Sequence, residues 1–197
     1  MMPSELLTTA LLVLIAYLIG GIPAAYLGAK IQRGVDIREH GNGNVGTVNA
    51  VRTLGLRSGL LVLAADAAKG AAVIGIGRLA GASDYTLFAM AIAVTAGHNW
   101  SPYIGFKGGK GVAVIFGISL AMAPVLSMMA GPLVFAIYFA TRSWGWAFGA
   151  GIIAINAIFI IAGAPTLCIV LCLVLSLLVI VTHFAREFTE LKQALRD

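Results

Sequence analysis

Charge is what this 197-residue sequence has least of: 11% of residues are Asp, Glu, Lys or Arg, with 13 basic side chains against 8 acidic ones. Cysteine occurs only at Cys168 and Cys172. Two thiols four apart in an apolar run do not make a disulfide framework; they read as small hydrophobes on one face of a lipid-embedded helix. The basic residues are scattered among hydrophobic spans, with no aromatic-interleaved basic patch, which argues against nucleic acid as a partner. No basic segment precedes the first apolar run, which is also longer than the core of a signal peptide, so it reads as a membrane span. Gly105 to Gly111 is superficially like a nucleotide-binding loop, but the spacing is one residue short. Gly111 also stands where Ser or Thr would hold magnesium, which speaks against a nucleoside triphosphate.

What is abundant is apolar surface. With 60% hydrophobic residues and a mean hydropathy of +0.97, the chain carries more apolar side chain than one water-soluble core of this length needs. The predicted class is an all-α integral membrane protein, a single domain over 1–197. Division at charged and Gly/Pro-rich punctuation gives about seven transmembrane helices, the third and fourth of them short of the length needed to cross the hydrocarbon, with six as the alternative count. These run Leu6 to Ala29, Gly59 to Leu79, Tyr85 to Gly97, Val112 to Ala123, Pro124 to Ala140, Ala147 to Ala162 and Thr166 to Val181. With that segmentation Lys30, Arg33, Arg38, Arg52, Arg57, Lys107, Lys110, Arg142, Arg186, Lys192 and Arg196 fall on one side. Arg78 falls on the other, and Lys69 sits inside a span. The excess of positive charge places the N-terminus outside and the C-terminus and the polar loops in the cytoplasm, at the cell inner (plasma) membrane.

Three polar features interrupt the apolar background. Asp66 and Lys69 lie three apart in the second span, on one helix face, where each alone would cost about 2.5–3.5 kcal/mol at the bilayer centre. They are expected to pair and face the bundle interior, either as a lock between helices or as part of a polar site. The segment from Asp36 to Arg52 holds Gly41, Gly43 and Gly46 among Asn42, Asn44 and Asn49, and reads either as a turn-rich loop or as a polar pocket with amide and guanidinium donors. Lys107-Gly108-Gly109-Lys110-Gly111 packs two lysines and three glycines into five residues. Glycines let backbone amides curl around an oxyanion while lysines neutralise it, so a phosphate at the membrane surface is the expected ligand. Just upstream, His98 is either an orienting or proton-handling group or a structural residue.

In order along the chain stand Gly43-Asn44-x-Gly46-x-x-Asn49, Arg52-Thr-Leu-Gly55, Asp66-x-x-Lys69-Gly70, Gly97-His98-Asn99 and Phe106-Lys-Gly-Gly-Lys-Gly-Val-Ala113. In these motifs the sequence resembles the bacterial acyl-phosphate:glycerol-3-phosphate acyltransferases, the PlsY family, over essentially its whole length. The resemblance implies a seven-helix bundle with its active site at the cytoplasmic face and no metal or nucleotide cofactor. It also implies transfer of a fatty acyl group from acyl phosphate to the 1-hydroxyl of glycerol 3-phosphate, giving lysophosphatidic acid. His98, His183 and Asn44 become the catalytic candidates. Lys107, Gly108, Gly109, Lys110 and Gly111 become the candidates for the donor phosphate, with Asn42, Asn49, Arg52, Arg38 and Asn99 as further substrate contacts. Acyl phosphate is already activated, so positioning and charge neutralisation suffice without a nucleophilic side chain. No histidine here begins a His-x4-Asp string, the mark of the other large class of glycerolipid acyltransferases: Val45, Tyr103 and Phe188 stand at those places. The sequence departs from the family pattern at Asn42, Val48, Gly145 and Arg186, where Ser, Thr, Ser and Asn are usual. An anion-binding or transport protein lacking transfer chemistry is the alternative reading.

Overall fold

The computed structural model describes residues 3–194, which are helical apart from short connections and contain no strand. Nine α-helices follow in order: α1 (Pro3–Gly21), α2 (Ala24–Arg33), α3 (Thr47–Leu54), α4 (Leu56–Leu79), α5 (Asp84–Asn99), α6 (Val112–Met122), α7 (Pro124–Thr141), α8 (Trp144–Ile161) and α9 (Thr166–Ala194). Among the described residues, five stretches are long and apolar enough to cross a membrane: Ser4–Arg33, Leu56–Leu79, Pro124–Thr141, Trp144–Ile161 and Thr166–Ala185. A polytopic integral membrane architecture follows. Helices α5 and α6, of 16 and 11 residues, are shorter.

The first predicted span, Leu6 to Ala29, is in fact two helices. Pro23 supplies no amide hydrogen and its ring clashes with the carbonyl one turn back, so the helix stops at Gly21 and restarts at Ala24. The interruption exposes two main-chain carbonyls that other elements occupy. Ser101 Oγ donates to the Gly21 carbonyl at 2.6 Å, and Lys69 Nζ donates to that of Ile22 at 3.0 Å. A second departure is α3, which makes a helix of residues 47–54 where the sequence suggests only a glycine-rich connector.

Chain direction sets which ends meet. Helix α1 runs parallel to α5, with Thr9 Oγ1 lying 3.3 Å from Thr86 Oγ1 at one end. At the other end the Tyr17 hydroxyl donates to the Trp100 carbonyl at 2.8 Å. The core between α1, α4, α5, α6 and α9 buries Ala16, Val73, Ile74, Met90, Val94, Val114, Ile118, Leu171 and Leu175. Backbones approach closely because glycines sit at the crossings. A methyl group on Gly20 would land on the Val94 carbonyl, one on Gly97 on the Tyr17 carbonyl, and one on Gly117 on the Ala67 carbonyl. Small residues at such crossings are the usual means of packing helices in lipid, where no hydrophobic drive holds them together.

Candidate active site

The lysine-glycine loop begins with a left-handed corner. Gly105 has φ +67° and Phe106, a bulky residue rarely found there, has φ +60°. The Phe106 amide donates to the Ser101 carbonyl at 2.8 Å, which closes this corner. The chain then lies across the C-terminal turn of α5. Gly108 N–H donates to the Asn99 carbonyl at 3.1 Å and Gly109 N–H to the His98 carbonyl at 2.9 Å. The expectation that glycine amides surround an anion is thereby revised at these two positions, since both satisfy orphan carbonyls of the helix end. Their glycine character has a steric cause. A side chain on Gly108 would strike the His98 carbonyl, and one on Gly109 would strike His98 Nε2. Gly111, with φ +85°, lies against the Asn99 side chain and opens α6, whose first-turn amides face out of that helix end.

The two lysines part company here. Lys107 is exposed. Lys110 is partly buried and its Nζ lies 2.7 Å from Nδ1 of His183 on α9, which ties the loop to the last helix. Beneath the loop is a buried polar cluster. His98 Nδ1 lies 2.9 Å from Lys69 Nζ, and Lys69 Nζ lies 2.9 Å from Asp66 Oδ1. Asp66, Lys69 and His98 are only 1%, 8% and 7% exposed, so this ion pair is shielded from solvent. The sequence pattern placed Asp66 and Lys69 on one face; that this face meets His98 and the broken end of α1 is a tertiary fact. The one signal for the latter was Pro23 in the middle of an apolar run.

The first polar segment folds over the same end, its Val45 carbonyl next to Gly109. Within it Asn49, completely buried, is an internal organiser. Its Nδ2 donates to the carbonyls of Ile37 and His40, both at 3.0 Å, and its Oδ1 accepts from the Asn42 amide at 3.0 Å. Asn42 Oδ1 in turn accepts from the Asn44 amide at 3.2 Å. Arg38 grips Asp36, with Nη2 at 2.6 Å, and donates from Nη1 to the Ile104 carbonyl at 2.9 Å. Hydrogen bonds from Arg38 hold the Asp36 carboxyl below its ordinary range, and Asp36 raises the guanidinium in return. A carboxyl whose folded value is lowered contributes its stabilisation above the unfolded value and loses it as pH falls through the folded one. The Asp36 clasp is accordingly intact at neutral pH. Arg52 is exposed on α3.

The structure thus gathers His98, Asn99, Gly108, Gly109, Lys110, Gly111 and His183 into one region. It keeps Asn42 and Asn44 in the adjoining loop, gives the donors of Asn49 to protein carbonyls and gives those of Arg38 to the Asp36 carboxylate and the Ile104 carbonyl. The side chains of Arg186 and Lys192, and the whole of Arg196, lie outside the described residues, and so does that part of the charge asymmetry. Among the described residues no group of three or more His, Cys, Asp or Glu forms a metal-binding cluster.

An all-helical membrane architecture of this kind is shared by known proteins. Residues 10–191 match the family model described as Glycerol-3-phosphate acyltransferase. A glycerol-3-phosphate acyltransferase of Thermus thermophilus is 35% identical over 170 residues, covering 86% of this chain and 85% of that protein. One from Bacillus velezensis is 41% identical over 133 residues, covering 68% of each. The match to glycerol-3-phosphate acyltransferase 5 of Dehalococcoides mccartyi is 43% identical but covers 58% of this chain and about half (49%) of that protein. The crystal structure of PlsY (YgiH), an integral membrane glycerol 3-phosphate acyltransferase, in its glycerol 3-phosphate form, superposes with a TM-score of 0.85. It is 31% identical and covers 94% of this chain and 93% of its own. The chain belongs to the glycerol-3-phosphate acyltransferase family, in its PlsY branch.

Proposed function

We propose that this protein transfers a fatty acyl group from acyl phosphate to the 1-hydroxyl of glycerol 3-phosphate, releasing lysophosphatidic acid and phosphate, in membrane phospholipid synthesis. In the reaction the hydroxyl oxygen attacks the acyl carbonyl carbon, a new C–O ester bond forms, and the bond to the phosphate oxygen breaks with its electron pair leaving on phosphate. The hydroxyl proton passes to an acceptor in the site. One observation carries the reading: the lysine-glycine loop is seated on the His98 end of α5 and tethered through Lys110 to His183. This brings cationic and hydrogen-bonding groups from three chain segments to the end of an apolar bundle, as two phosphate-bearing substrates and one lipid tail require.

In this reading Lys107, Lys110 and Gly111 face the donor phosphate, with the amides of the first turn of α6 as added donors. Gly108 and Gly109 hold the loop in place. Asn44, His98 and His183 hydrogen-bond the reacting oxygens. Arg52, Asn42 and Asn99 serve the acceptor side, while Asn49 and Arg38 act by shaping the loop that carries them. Helices α5 and α6 cross with the five longer stretches to give seven passes. The site end then lies in the cytoplasm, the start of α1 outside, and the end of α9 inside.

The test is direct. Purified protein in a lipidic medium, supplied with acyl phosphate and glycerol 3-phosphate, is expected to release phosphate and form lysophosphatidic acid in equal amounts. Intact protein that forms no acyl product from this pair would refute the assignment. Binding of acyl phosphate without turnover would instead favour an anion-binding role.

A further inference from the structure

We propose that Lys69, held by Asp66, is a positioning residue that fixes which nitrogen of His98 carries the proton. The ammonium donates to Nδ1, so the neutral imidazole bears its hydrogen on Nε2 and meets the lysine-glycine loop as a hydrogen-bond donor, not as a base. The catalytic meaning rests on the proposed acyl transfer; the tautomer does not.

The geometry around Lys69 Nζ favours one arrangement. An ammonium has three N–H donors and no lone pair, so every partner must accept. The carbonyl of Ile22 accepts at 3.0 Å, His98 Nδ1 lies at 2.9 Å, and the Asp66 carboxylate forms an ion pair with the ammonium at 2.9 Å. The other tautomer would place an Nδ1–H against an ammonium at hydrogen-bonding distance, two donors facing one another. Asp66 Oδ1 lies 3.6 Å from Nδ1, beyond a good hydrogen bond, and offers that tautomer little compensation. The buried setting strengthens the preference, because a desolvated mismatch has no water to repair it.

The opposite edge of the ring shows where the proton is used. Nε2 is the atom that a side chain on Gly109 would strike first, so this edge lies against the loop between Lys107 and Gly111. The imidazole therefore bridges an intramembrane ion pair and a loop that takes phosphate in the proposed function. Polarisation by the ammonium behind it makes Nε2–H a better donor to an oxyanion. An imidazole so fixed offers no lone pair to a substrate hydroxyl, which removes His98 from the candidates for general base. It also gives a chemical reason for an ion pair inside a membrane helix, where ionisable groups otherwise destabilise the span.

The decisive measurement is the nitrogen NMR spectrum of the full-length protein, labelled with 15N in its histidine rings, in lipid bilayers at a pH where His98 is neutral. Signals are assigned by comparison with His40→Gln and His183→Gln variants. A protonated Nε2 and bare Nδ1 on His98 are expected. A protonated Nδ1 in the wild type overturns the proposal without any variant. In Lys69→Met the tautomers should mix and kcat fall by about 10-fold or more, the scale seen when the partner behind an imidazole is removed. An unchanged tautomer in folded Lys69→Met also overturns it. Should Lys69→Met fail to fold, the wild-type spectrum still decides. The expected tautomer in a protein that forms no acyl product supports this inference and sinks the proposed function instead.

Discussion

The α1–α4–α5–α6 cluster and the α7–α8 hairpin are built from similar apolar residues, yet they pack by different rules. In the cluster, Gly20, Gly70, Gly97 and Gly117 each lie so close to a neighbouring main chain that a methyl group would collide with a carbonyl oxygen. In the hairpin, Gly131 and Gly149 have nothing within 4 Å of the position a methyl would take, Gly145 meets Ser143 Oγ at an ordinary 3.7 Å, and Gly151 meets the side chain of Val134. The hairpin is also sparsely buried, with Val125, Met128, Trp146 and Ile153 well exposed on surfaces suited to lipid. Close main-chain contact is therefore concentrated where polar groups must be held in register. Lipid-facing helices carry no such demand, because lipid tails solvate apolar side chains as well as another helix does.

Breaking the pair at the heart of the cluster should give the largest effect. Asp66→Asn leaves the Lys69 ammonium buried without its counter-charge, and a loss of about 3–5 kcal/mol is expected, measured by unfolding in detergent. A loss below about 1 kcal/mol would mean that the ion pair is not what holds the cluster. Next comes the loop above it. Lys107→Ala and Lys110→Ala are each expected to lower kcat by about 100-fold or more, the scale of losing one charge-stabilising donor, with melting unchanged for the exposed Lys107. If both variants keep near wild-type turnover, the loop is not the phosphate site.

Two glycine substitutions then set the regions against each other. Gly97→Ala pushes a methyl into the Tyr17 carbonyl, so α1 must move off α5 at a cost of about 1–3 kcal/mol, read as a lowered melting temperature. Gly149→Ala meets open space on a lipid-facing helix and should be neutral or stabilising by up to about 1 kcal/mol, since alanine is the better helix former. Equal destabilisation by the two changes would erase the distinction drawn between cluster and hairpin.

Much of this was legible in the chain. The membrane class follows from run length and hydropathy, since apolar stretches near the length of the hydrocarbon have few other uses. The lysine-glycine motif was visible for a similar reason: glycine and lysine at that density have few structural explanations, and order along the chain tied them to Gly97-His98-Asn99. Less legible was what the glycines do. Gly108 and Gly109 read as an anion cradle, whereas their amides close the end of α5, and their missing side chains admit the His98 carbonyl and the His98 ring respectively. Asn49 and Arg38 likewise read as substrate contacts but are donors to their own loop and to Ile104. A polar side chain in a glycine-rich segment has the same signature in sequence whether it meets a ligand or a neighbouring carbonyl.

Composition and local spacing were enough for the environment, the helical class, the pairing of Asp66 with Lys69 three residues away, and the presence of a cationic glycine loop. Folding in three dimensions was needed for the rest: that Pro23 frees the Ile22 carbonyl beside Lys69, that this lysine reaches His98, and that Lys110 reaches His183 across 73 positions of chain. Those contacts join distant segments. Their geometry comes from how closely glycine-bearing helices can cross, a property of the packed bundle that no local pattern in the sequence encodes.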